Sequence, residues 1–92
     1  MSVFIVGGDY LGDIDSNFKS LGYDNVIHFK GRKKVKKRDL NIPVDAGLVV
    51  VLTNYINHNI ALLIKEKAKN QSVPVIFARR SWSCIAEKLN AV

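Results

Sequence analysis

One cysteine, Cys84, two prolines, two histidines and one tryptophan are the whole supply of these residue types in 92 positions. A single thiol cannot close an internal disulfide, which argues against a cystine-stapled secreted scaffold. No apolar run reaches the ~20 residues of a bilayer span, and no basic stretch with an apolar core and small-residue cleavage site opens the chain. The expected setting is therefore cytoplasmic, with no membrane partner. With 48% hydrophobic and 24% charged residues, the composition is too apolar for a disordered segment. The length suits one domain, and a domain this small is often helped by self-association, so a homodimer is expected.

The cations are concentrated in one segment that holds no acid. Residues 30–38, KGRKKVKKR, carry Lys30, Arg32, Lys33, Lys34, Lys36, Lys37 and Arg38, which is 7 of the 14 basic residues. The remaining 7 basic and 8 acidic residues give the rest of the chain a formal charge of −1, against +6 for the whole. The basicity belongs to a connector, residues 30–42, inside a single domain spanning 1–92.

Short apolar runs and helical stripes alternate along the chain. Ser2 to Val6 (SVFIV) reads as a buried strand closed by Gly7-Gly8. Leu11, Ile14, Phe18 and Leu21 form a helical stripe ended by Gly22, with Asp13 and Asp15 near the positive end of the helix dipole. Val26 to Phe29 is a second strand, with His28 at the edge of the core. Between Gly31 and Pro43 only Val35, Leu40 and Ile42 are apolar, which predicts a loop or an exposed amphipathic turn or two.

Ala46 to Leu52 (AGLVVVL) is apolar on both faces, as a central parallel strand should be. Thr53 and Asn54 supply cap chemistry for a helix running to about Lys69, with Ile56, Ile60, Leu63 and Ile64 buried. His58, Lys65 and Leu62 fall on its opposite arc. Pro74 to Ala78 is a fourth strand, and Ser81 caps a last helix with Trp82, Ile85, Ala86 and Leu89 as its apolar positions. Strands buried on both faces and separated by helices predict a small three-layer α/β sandwich with a four-stranded parallel sheet, flavodoxin-like or half-Rossmann.

In such a sheet ligands bind beyond the carboxyl ends of the strands. Those positions are the Gly7-Gly8-Asp9-Tyr10-Leu11-Gly12 turn, Lys30-Gly31-Arg32, Thr53-Asn54 with His58 beyond, and Arg79-Arg80-Ser81. Backbone freedom at glycine, free helix N–H groups and arginine forks together describe an anion site for a phosphate or nucleotide, made of Gly7, Gly8, Asp9, Thr53, Asn54, His58, Arg79, Arg80 and Ser81. The glycine spacing matches neither the dinucleotide fingerprint nor a P-loop, and an ordinary tight turn explains it equally well. His58 is either a surface histidine or a proton carrier, metal or haem ligand, or anion donor. It has no partner at ligand spacing, so a structural zinc site is not expected. Cys84, one turn into the last helix, reads as a packed thiol, with activation by the neighbouring arginines as the alternative. No nucleophile, base and orienter stand together, so no catalysis is expected.

The basic run carries the functional signal. Seven cations in nine residues create a potential that attracts polyanions and releases counterions when nucleic acid binds. Phe29 is the one ring near the run, so phosphate contact is expected ahead of base stacking. Lys30, Arg32, Lys33, Lys34, Lys36, Lys37 and Arg38 are the expected contacts to DNA or RNA.

The opening VFIVGGD, the strand LVVVLTNYINHN, the following KEKAKNQSVPVIFARRS and the Gly31-Arg32 pair resemble the bacterial family called domain of unknown function 2325. The likeness runs from Val3 to about Leu89. Thr53-Asn54-Tyr55-Ile56-Asn57-His58 resembles that family's Thr-Asp-x-x-Ser-His, with Asn54 in place of the acid and Asn57 in place of the serine. The resemblance implies a small bacterial α/β domain with His58 and the Gly7-Gly8 turn as marked positions. It also brings in a second hypothesis, a haem or small-ligand sensor using His58. A third expectation is an interaction domain assembling through the helix that bears Leu62.

Overall fold

A computed structural model describes residues 1–30, 40–54 and 56–90. Its elements, in chain order, are β1 (Ser2–Val6), α1 (Asp13–Ser20), β2 (Asn25–Phe29), β3 (Ala46–Leu52), α2 (His58–Asn70), β4 (Val75–Ala78) and α3 (Trp82–Asn90). The four strands form one sheet in the order β2-β1-β3-β4, and every pairing is parallel. This is the expected α/β architecture, and its order is that of a flavodoxin-like sheet up to the fourth strand.

The period-two alternation of strand side chains divides the core into two layers. Val3 and Ile5 of β1 and Leu48, Val50 and Leu52 of β3 face Ile14 and Phe18 of α1 and Ile85 of α3. Phe4, Val6, Val49 and Val51 face the other way, toward Ile60, Ile64 and Ala68 of α2. The two central strands are thus apolar on both faces because a helical layer covers each. Phe18 lies at the centre of the first layer, edge-on to Tyr23 at 5.6 Å and to Trp82 at 5.1 Å between ring centroids. Cys84 is half-buried and packs against this same cluster.

Several boundaries depart from the sequence reading. The α2 cap is Asn57, whose side chain accepts from the Asn59 amide at 2.8 Å, and the helix starts at His58. Thr53 and Asn54 do not cap it; they lie in the turn that follows β3. The third buried position of α2 is Ala68, while Leu63 is half-buried. Leu21 is 57% exposed, because α1 ends at Ser20 and the chain turns at Gly22. The connector ends inside the protein: Leu40 and Ile42 are buried under α2, and Lys67 Nζ of that helix donates to the Leu40 carbonyl. Residues 31–39, and with them Arg32, Lys33, Lys34, Lys36, Lys37 and Arg38, lie outside the described residues.

Candidate functional site

Every strand points its carboxyl end the same way, so four turns meet at one rim. β2 and β4 are the sheet edges, which puts Lys30 on one flank and Arg79-Arg80 on the other. Between them, beyond β1 and β3, lie the glycine turn and Thr53-Asn54. The connection from β1 goes outward to β2 and that from β3 outward to β4, so this centre is the point at which an open α/β sheet forms its crevice.

Gly7 is fixed by the fold. Its φ is +103°, and a Cβ there would stand 2.6 Å from the Leu52 carbonyl oxygen, because the ends of β1 and β3 approach that closely. Its N–H donates to the Phe29 carbonyl at 2.8 Å, and its own carbonyl receives His28 Nε2 at 2.7 Å. Both polar groups of Gly7 are therefore used within the protein. The carbonyl can only accept, so this bond places the imidazole proton on Nε2. His28 is half-buried and ties β2 to the glycine turn.

Arg80 is the best-organised cation of the rim. Its amide donates to Asn54 Oδ1 at 2.9 Å, and its Nη1 donates to the Tyr10 carbonyl at 3.1 Å. The guanidinium carbon sits 4.8 Å from the centroid of the Tyr10 ring, within cation–π range. A Cβ on Gly8 would come within 3.2 Å of Arg80 Cδ, so a residue without a side chain lets this arginine lie across the turn. Gly8, Asn54 and Arg80 are thus brought together by β1, β3 and β4, as the strand-end reading expects. Tyr10, part of the glycine turn but not of the expected anion set, joins them.

The remaining candidates spread around this centre. Arg79 is exposed, and its carbonyl accepts from the Ser81 amide at 2.7 Å. Ser81 receives the Ile85 amide on its carbonyl at 3.0 Å, as a first residue ahead of α3 should, and its hydroxyl meets that of Ser83 at 2.9 Å. The Thr53 amide donates to the Ala78 carbonyl at 2.8 Å, and Thr53 itself is exposed. Asp9 is exposed beside Tyr10 and adds a negative charge at the glycine turn. His58 is exposed at the first position of α2, and among the described residues no three His, Cys, Asp or Glu side chains gather where they could hold a metal ion. Phe29, the ring nearest the basic run in sequence, packs against the layer under α2.

A family model described as "uncharacterized protein conserved in bacteria", DUF2325, matches residues 2–92. The chain belongs to the DUF2325 family. No curated protein and no solved structure matches it. The match takes in all seven elements, the DUF2325 glycine turn, the basic run and the Arg79-Arg80 pair. No helix among the described residues is long and apolar enough to cross a membrane.

Proposed function

We propose that this DUF2325 chain is a non-enzymatic binding module of the bacterial cytoplasm, whose 30–38 segment contacts nucleic-acid phosphates. The observation that carries this reading is the concentration of 7 of 14 cations in that segment, in a chain otherwise near neutrality. Such clustering supplies the sequence-independent part of nucleic-acid affinity, because each neutralised phosphate releases condensed counterions. The run starts at Lys30, directly beyond β2 and at the same rim that holds Arg79 and Arg80. Cations on both flanks, with Asp9 at the centre, favour a phosphate chain that reaches the rim from its edges.

Pairing into a homodimer belongs to the same reading. Leu62 is 66% exposed on the outer arc of α2, and burying it offsets the thin core of a short domain.

Replacing Lys33, Lys34, Lys36 and Lys37 with Ser lowers the formal charge from +6 to +2. The variant should lose affinity for all sequences alike, and its log K against log salt plot should flatten by up to about 3–4 units at ~0.7–0.9 per phosphate contact. An unchanged affinity would reject the polyanion reading.

A further inference from the structure

The ring of Tyr10 is an exposed aromatic surface, which the 30–38 sequence does not contain. It stands 66% open to solvent beyond β1, and its neighbour is a cation held from three directions. Asn54 fixes the Arg80 backbone, the Tyr10 carbonyl fixes its Nη1, and Gly8 leaves room for its stem. The ring edge in turn lies against Gly12, where a Cβ would sit 3.6 Å from Tyr10 Cε2. An aromatic surface left open and a guanidinium held on it are the two parts that a nucleotide requires. Every base has a π-face that stacks on an aromatic ring, and a phosphate pairs with a guanidinium.

We propose that Tyr10 and Arg80 form a nucleotide platform, with the base stacked on the Tyr10 ring and the phosphate on Arg80 and Arg79. The acids fix this polarity. Asp9 adjoins Tyr10 in the chain and Asp13 opens α1, whereas Arg79 and Arg80 follow β4, so the β4 side is the more positive of the two and the one that attracts phosphate. The platform adds base contact to the phosphate contact proposed above, and it rests on that reading for its macromolecular source. A free mononucleotide carries the same chemistry.

The test uses the full chain, its Tyr10→Leu and Tyr10→Phe variants, a labelled deoxythymidine oligomer and an abasic oligomer of equal length. Tyr10→Leu should weaken binding of the thymidine oligomer about tenfold, leave the abasic oligomer and the salt slope unchanged, and be rescued by Tyr10→Phe. Equal binding of the thymidine oligomer by wild type and Tyr10→Leu would overturn the platform while leaving the basic-run reading standing. Failure of wild type to bind either oligomer at low salt counts against single-stranded DNA as the polyanion instead, and the platform is then decided by titrating adenosine monophosphate. Shifts of the Gly8 and Gly12 amide resonances that vanish in Tyr10→Leu would support it, and their absence in wild type would overturn it.

Discussion

Gly7→Ala separates a glycine demanded by the fold from one kept for a ligand. At φ +103° an L-residue is strained by about 1–3 kcal/mol. The added methyl also meets the Leu52 carbonyl oxygen at 2.6 Å, and that oxygen belongs to a central strand that cannot swing aside. Overpacking of this kind costs about 1–3 kcal/mol more, so the expected loss is about 2–6 kcal/mol. A domain of this length holds about 5–14 kcal/mol in total. At about 4–8 °C per kcal/mol, the melting temperature should fall by at least about 8 °C. Gly22 provides the control, because it shares the φ of +103° but has nothing within 4 Å of its would-be Cβ. Gly22→Ala should therefore carry only the strain. Urea unfolding followed by Trp82 fluorescence measures both variants, with the slope expected to stay constant and the midpoint to move. A Gly7→Ala loss within about 0.5 kcal/mol of the Gly22→Ala loss would refute the close-approach argument.

Three further outcomes are expected. Phe18→Ala, which removes a fully buried ring and its edge contacts to Tyr23 and Trp82, should cost about 3–5 kcal/mol in the same urea assay. The N-terminal ammonium and Asp24 carboxylate meet at 2.9 Å, and this contact lowers the Asp24 pKa and raises that of the amine. The pair is complete between those two values. It is lost on the acid side as pH falls through the lowered Asp24 pKa, and on the alkaline side as pH rises through the raised amine pKa. Carbon-detected NMR of the Asp24 carboxyl should place its midpoint below the ordinary aspartate value and return it there when the amine is acetylated. Leu62→Glu should reduce the scattering mass from dimer to monomer while leaving the circular dichroism unchanged.

Legibility in the sequence followed the range of the interactions involved. The central strands were plain because β1 and β3 are apolar on both faces, and that pattern needs no knowledge of what covers them. The start of α2 was not, since Thr53, Asn54 and Asn57 all have cap chemistry. What decides between them is a bond across 26 residues, from the Arg80 amide to Asn54 Oδ1, which leaves Asn57 to cap the helix. Leu21 continued the apolar spacing of α1 but fell beyond the helix end, where the turn at Gly22 carries it to solvent. The rim itself was legible as a set of strand ends. Tyr10 was not, because its partner Arg80 lies 70 residues away and only the parallel sheet joins them. Phe29, the ring close to the basic run in sequence, packs against the layer under α2, a placement that the sequence pattern alone does not reveal.

The claim that the basic segment is a phosphate-contacting device is tested most directly by fluorescence anisotropy of the wild-type chain with labelled duplex and single-stranded DNA and RNA across a salt series. Binding should be tight at low salt and weaken steeply, with a linear log–log slope that reflects several phosphate contacts. Absence of binding at low salt, or an affinity indifferent to salt, would contradict the account.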